Sequence, residues 1–202
     1  MQLVIADTSP ISYLIQIGSI DLLPRMFEKI ALPLAVQTEL SSSRAPLPVR
    51  NWMAAPPVWL EIHDTAGLPQ VSGLDEGETA ALALGEFLRA DLLLIDERHG
   101  SSIARKRGLR VTGTLGVLDI AGEHGLIDFG QAITNLKRTT FRRPEALLEH
   151  FCRNTRVDRQ APSVDSSGPF AIFSQPCTGV GSLLSRLFRL LYPRTRRRYQ
   201  IP

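Results

Sequence analysis

An α/β fold with a central parallel sheet and helices on both faces is what this sequence predicts, on three observations. Short apolar runs alternate with segments of helical character, the pattern of strands joined by helical crossovers. Two of those runs, LVIAD at 3–7 and ADLLLIDE at 90–97, are almost wholly apolar and end in acids. Strands buried on both faces of a parallel sheet read as continuous apolar runs rather than alternating ones. The composition agrees, since 44% hydrophobic and 21% charged residues in 202 lie near globular averages and supply enough apolar surface for one core.

LVIAD is the first strand, and Thr8-Ser9-Pro10 follows it, with Thr8 or Ser9 available as an N-cap and Pro10 suited to a first helical turn. The helix continues through ISYLIQIG (11–18) to a stop at Gly18, and DLLPRMF (21–27) is a second short helical piece. KIALP (29–33) is a strand, and LAVQTEL (34–40) turns helical with Glu39 near its end. SSSRAPLP (41–48) is a loop, residues 49–55 a short helix, and VWLEIH (58–63) alternates as a strand. From Leu74, LDEGETAALALGEFL opens with acids where the helix dipole favours them and runs on through Ala and Leu. The strand of 90–97 comes next, then a helix over 99–108 closed by Gly108 and the strand LRVTGT (109–114). Helices follow at 115–127, at FGQAITNLKRT and at 143–155.

Charge divides the chain. Residues 151–202 hold nine arginines (153, 156, 159, 186, 189, 194, 196, 197 and 198) against Asp158 and Asp165. Residues 1–150 hold 14 basic and 18 acidic side chains. The overall pI of about 9.2 therefore reflects the tail and is no argument for nucleic-acid binding by the first domain. Residues 1–150 are the predicted domain. Residues 151–202 read as a disordered basic tail, rich in Ser, Pro and Gly beyond about 156, with a short amphipathic stretch at 182–193. That tail is read as a loosely constrained extension, with binding to a partner, an anionic membrane or RNA as the alternatives.

Two cysteines, Cys152 and Cys177, make neither a disulfide framework nor a Cys-rich metal site, which suits a reduced, cytoplasmic protein. The N-terminus lacks the basic region of a signal peptide, and no run of about 18 apolar residues suggests a transmembrane segment.

The chemistry lies in the acids. Sites in open parallel sheets form beyond the carboxyl ends of the strands, which is where Asp7 and Asp96 fall; Glu39 and Glu78 lie on the helices that follow other strands. Carboxylates without His or Cys are hard ligands suited to Mg²⁺ or Mn²⁺. Empty, such a cluster repels itself. Loaded, it suits hydrolysis of a phosphodiester. Taken singly, Asp7 and Asp96 are also ordinary helix caps, Glu39 a solvated helix residue, and Asp75, Glu76 and Glu78 acids drawn to a helix dipole. Arg98, Arg105, Lys106, Arg107 and Arg110 follow Asp96 closely and read equally as phosphate contacts or a solvated face. His99 is not expected to be a ligand, and Trp52 and Trp59 read as core or partner-facing residues.

The segments LVIADTSPISYLIQIG, LPLAVQTEL and LDEGETAALALGEFLRADLLLIDERHGSSIARKRGLRVTGTLGVL, in that order over about residues 1–150, resemble the PIN-domain family. The nearest likeness is to an uncharacterised PIN-like subgroup related to toxin ribonucleases of the VapC kind. DTSP alone is weak; with LDEGE, LLIDER and GTLGVL it is fairly specific. The resemblance implies a Rossmann-like three-layer α/β/α sandwich and a metal-dependent endoribonuclease using Mg²⁺ or Mn²⁺ on single-stranded RNA. It also implies a homodimer and, where a toxin–antitoxin pair exists, a cognate antitoxin as partner. Carried over by position, Asp7, Glu39, Glu78 and Asp96 are the catalytic and metal-ligating acids, with Asp75, Glu76 and Glu97 as nearby rivals. Thr8, Ser9, Arg98 and Arg105 are candidate substrate contacts. Glu78 is the departure, because many members carry Asp there. A non-catalytic PIN-like module that binds nucleic acid or protein is the alternative. A phosphatase using Asp7 as nucleophile is disfavoured by Ser9, where a second acid is usual.

Overall fold

The computed structural model describes residues 2–27, 29–69 and 71–142. The expected helix at 143–155 and the basic tail lie outside the described residues. Five strands run in parallel: β1 (Leu3–Ala6), β2 (Lys29–Pro33), β3 (Leu60–His63), β4 (Leu92–Leu94) and β5 (Val111–Thr112), in the order β3-β2-β1-β4-β5. Among the described residues the helices are α1 (Thr8–Gln16), α2 (Leu22–Met26), α3 (Leu34–Ser41), α4 (Leu47–Met53), α5 (Glu76–Phe87), α6 (Arg98–Lys106), α7 (Thr114–Glu123) and α8 (Phe129–Leu136). None is long and apolar enough to cross a membrane. The expected α/β parallel-sheet architecture is the observed one.

Register and burial explain why the strands are apolar throughout. Ile5 stands opposite Ala31 in β2 and Leu93 in β4. Ile5, Ala31, Leu93 and Ile95 pack with Ala81, Leu82 and Leu84 of α5 and Ala104 of α6. The residues of opposite parity, Val4, Ala6, Ile30, Leu32, Leu92 and Leu94, are at most 3% exposed. Both faces of the sheet are therefore covered, so neither carries the polar alternation of a half-solvated strand. Helix α5 packs on β1, β2, β4 and α3, and every residue from Gly77 to Gly85 is buried. Its Ala-rich sequence fits a helix enclosed on all sides.

The differences from expectation have local causes. Strand β4 is three residues rather than eight: Asp91 takes the Leu3 N–H on its carboxylate at 3.0 Å, and the chain beyond Ile95 turns into α6. The first helix is capped at Asp7, not at Thr8 or Ser9, and the Asp7 side chain makes no capping hydrogen bond. Helix α4 begins at Leu47, inside the expected loop, because Pro48 is tolerated in a first turn that has no use for its missing N–H. Gly18 and Gly108 follow their helices at φ +68° and +85°, the left-handed turn that stops a helix. Trp52 and Trp59 are half-buried against each other, ring centroids 5.8 Å apart.

Candidate active site at the carboxyl edge of the sheet

The chain leaves β1 toward β2 on one side and returns to β4 on the other, so the strand order reverses between β1 and β4. A crevice opens at such a point. Asp7 follows β1 at this reversal, its N–H donating to Leu94 O at 2.9 Å, and it is only 4% exposed.

Two other elements bring carboxylates to Asp7. Thr8 Oγ1 donates to Glu39 Oε2 at 2.6 Å, tying the start of α1 to α3. A Cβ added to Gly77 would lie 3.1 Å from Glu39 Oε2, 3.3 Å from Thr8 Oγ1 and 3.5 Å from Asp7 Oδ1, so all three polar atoms converge on the bare glycine at the head of α5. Glu78 is next in sequence and 7% exposed. It forms a capping box with Asp75: Glu78 N–H donates to Asp75 Oδ1 at 2.8 Å, and Asp75 N–H to Glu78 Oε2 at 3.3 Å. Glu78 also reaches the head of α6, where a Cβ on Gly100 would lie 3.5 Å from its Oε1.

Burial pushes the Asp7 carboxyl from its ordinary 3.8 up to about 7; the Thr8 backbone N–H opposes this, and Asp75, Glu78 and Glu39 add to it. Burial likewise raises Glu78, with Asp75 and Glu97 pushing the same way and His99 against. The acids at the end of β1, on α3 and at the head of α5 thus share one electrostatic field, and among the described residues no basic side chain figures in the shift of Asp7.

Asp96 is held differently. Its Oδ1 accepts from Thr114 N–H at 3.0 Å and its Oδ2 from Thr114 Oγ1 at 2.5 Å, which satisfies an otherwise orphaned donor at the head of α7. The approach requires Gly113, where a Cβ would lie 2.5 Å from Asp96 Oδ1. Asp96 is half-buried and borders a cleft of about 410 Å³ shared with Arg98 and Arg105. Of the rivals, Asp75 caps α5 and Glu97 caps α6, accepting from Gly100 N–H at 2.6 Å. Glu76 is exposed and borders a different cleft, with Thr38 and Asp64. Glu78 alone of the three acids near the head of α5 is buried. Ser9 is half-buried in the first turn of α1, and Arg107 pairs with Glu86 at 3.1 Å. His99 is exposed, its Nε2 beside Gly73.

Sequence reasoning missed Thr114, Gly113 and Gly77, which shape the site without carrying charge. It also missed the reciprocal Asp75–Glu78 bond, although an acid followed three residues later by Glu at the head of a helix signals a capping box. Because Asp75 both caps α5 and faces Asp7, its removal has opposed effects. Asp75→Ala is expected to cost about 1 kcal/mol at pH 5, where Asp7 is protonated and the lost cap dominates. At pH 8 the cost should be smaller, since the change also relieves repulsion on ionised Asp7. Urea denaturation at both pH values measures this, and equal costs would mean that the two carboxylates do not feel one another.

The donors are all hard oxygens, and a buried acid facing other acids is where a divalent cation relieves repulsion. Among the described residues, no three Asp, Glu, His or Cys side chains are arranged to hold one ion directly. Mg²⁺ is commonly bound through one or two carboxylates with water completing its shell, and the pairing of Asp7 with Glu39 beside Gly77 fits that requirement.

No curated protein matches the chain. Among solved structures it is similar to a PilT N-terminus domain protein from the hyperthermophilic archaeon Sulfolobus solfataricus P2, at 12% identity and a TM-score of 0.44, covering 57% of this chain and 90% of that one. That likeness is too distant to bear on function. The family model described as PIN domain matches residues 3–156, a span that takes in the parallel sheet and every acid of the crevice. The chain belongs to the PIN-domain family.

Proposed function

We propose that this protein is a metal-dependent endoribonuclease hydrolysing single-stranded RNA, with Asp7, Glu39, Glu78 and Asp96 as its metal-holding acids and Mg²⁺ or Mn²⁺ as cofactor. PIN domains are generally nucleases. The observation that carries the reading for this chain is the Asp7 carboxyl, buried and raised to about 7, with the carboxylates of Asp75, Glu78 and Glu39 adding to the shift. A divalent ion held by these carboxylates would supply charge neutralisation for phosphodiester hydrolysis and would lower the pKa of water.

The protein's own groups do the positioning. Thr8 holds the Glu39 carboxylate toward Asp7, the capping box fixes Glu78, and Thr114 orients Asp96. Thr8 and Ser9 stand at the head of α1, where backbone donors favour an anion such as phosphate.

The test is hydrolysis of a single-stranded RNA by the full chain with Mn²⁺ and with a chelator, together with the Gly77→Ala variant. Alanine should leave the helix as stable or slightly more so, yet it places a methyl among Glu39, Thr8 and Asp7. We expect metal-dependent cleavage in the native chain, and an Mn²⁺ affinity at least tenfold weaker in Gly77→Ala with unchanged melting. Unchanged affinity would remove the crevice as the metal site. The second reading, a PIN-like module that binds without catalysis, draws on the absence among the described residues of three ligands set for one ion; a folded protein that takes up no Mn²⁺ would favour it. A role as the toxin of a toxin–antitoxin pair, in the cytoplasm and as a homodimer, extends the first reading; co-expression with the product of the adjacent reading frame tests it.

A further inference from the structure

The cleft beside Asp96 has two walls of different character. One is α6, which presents Arg98, Ser101 and Arg105 to it, positions one and two turns apart along one face of a helix. The other is β5 and the head of α7, with Val111, Leu115 and the bare backbone of Gly116. A Cβ at Gly116 would run into Thr112 Oγ1, so the chain is close-packed at that wall. At about 410 Å³ the space falls within the range of roughly 300–1,000 Å³ typical of small-ligand sites.

The two arginines are the informative residues. Among the described residues neither makes an ion pair, whereas Arg107, the residue that closes the same helix, is taken by Glu86. Arg98 is the first residue of α6, where the positive end of the helix dipole disfavours a cation. Helix stability therefore does not explain its place, but an anion in the cleft would. Arg105, two turns on, lies about 10 Å further along the axis, so the two exposed side chains give the cleft two separate cationic anchor points, which suits two phosphates of one strand better than one isolated anion.

We infer that this cleft is a subsite for the RNA strand next to the cut, with Arg98 and Arg105 each holding one backbone phosphate and the Val111–Leu115 wall taking the intervening nucleotide. The inference rests on the ribonuclease reading, which supplies the strand. It adds the path: the RNA crosses the acidic crevice at Asp7 and leaves over Asp96 along α6. Among the described residues the cleft lining holds no aromatic ring, so bases are not gripped by ring stacking, and the subsite reads backbone rather than sequence.

Equilibrium binding tests this apart from catalysis. The full chain carrying Asp7→Asn is titrated with a fluorescent single-stranded uridine oligomer over a range of salt, alone and with Arg98→Ala, Arg105→Ala, both together, or Arg107→Ala. For single strands the salt slope falls by about 0.7 for each phosphate that is no longer neutralised. We expect a decrease of about 0.7 in each single variant and about 1.4 in the double, at least tenfold weaker binding in the double at low salt, and no change for Arg107→Ala. Both arginines are exposed, and thermal melting should confirm that the fold is intact. An unchanged slope in the double variant, or an equal effect of Arg107→Ala, overturns the subsite. Competition by uridine monophosphate at the oligomer's own affinity also overturns it, in favour of a site for free nucleotides. Cleavage is read separately, on the chain with native Asp7: if that chain hydrolyses nothing while its Asp7→Asn form binds in this pattern, the ribonuclease reading fails and the strand-binding cleft stands.

Discussion

Asp7→Asn is expected to abolish hydrolysis while making the metal-free protein more stable. Burial holds the Asp7 carboxyl at about 7 in the folded chain against an ordinary 3.8. Below about pH 4 the acid is protonated in both states and contributes no penalty. As pH rises from about 4 to about 7 the unfolded chain releases the proton while the folded chain keeps it, so stability falls. Above pH 7 the penalty is complete, at about 4 kcal/mol for a shift of this size. Asparagine fills the same volume without the charge. At pH 8 in chelator it should recover about 2–4 kcal/mol, which for a domain of this size is on the order of 10 °C in melting temperature. Near pH 4 the gain should vanish. Activity should drop by on the order of a thousandfold, since the group best placed to hold the ion is gone. Melting curves at pH 4 and pH 8, set beside an RNA cleavage assay, check both halves. A gain that does not change with pH would show that Asp7 is not held protonated by the fold.

Gly113→Ala is the second large effect, and it acts through space rather than conformation. Gly113 has an extended backbone, φ −119° and ψ −172°, that any residue adopts. Its missing side chain is what matters, because a methyl would lie 2.5 Å from Asp96 Oδ1 and 3.3 Å from Ile95 O. The backbone oxygen has little room to give, so the Asp96 carboxylate must swing away. Thr114, which is fully buried, then loses the acceptor for both its N–H and its hydroxyl. Two unsatisfied buried donors cost about 2–4 kcal/mol, and the displaced Asp96 should lower activity at least a hundredfold. Asp96→Asn separates the two effects: its amide can accept from the Thr114 N–H and donate to the hydroxyl, so stability should change by less than about 1 kcal/mol while activity is lost. Denaturation and cleavage assays on the pair decide this, and a fully active, stable Gly113→Ala would mean that Thr114 does not position Asp96.

Much of the fold was legible because burial on both sides leaves a simple mark. LVIAD, KIALP and ADLLLIDE could not be amphipathic strands, and their alternation with helices required a parallel sheet. Strand ends were less legible, since the Asp91 carboxylate takes the Leu3 N–H, a partner 88 residues away, at the start of β4. The site was legible where topology alone places a residue, as for Asp7 at the end of β1. It was not legible where a contact across the chain decides: the Thr8–Glu39 bond spans 31 residues, and Thr114 reaches Asp96 from 18 residues on. Among Asp75, Glu76 and Glu78 only Glu78 is buried, a difference that one turn of helix hides from a reader of sequence. The net charge of the first 150 residues gave no hint that Arg98 and Arg105 share a cleft.

The strand order has one further consequence, for how the domain meets other chains. Its outer strands are β3, four residues long and carrying Glu61 and His63, and β5, only two residues long. Glu61 is itself occupied by Lys29 of the neighbouring strand at 2.7 Å. Short, charged borders offer a foreign strand few free backbone groups and so protect against edge-to-edge aggregation. Any chain that binds this domain is therefore expected to dock through helix surfaces rather than by extending the sheet.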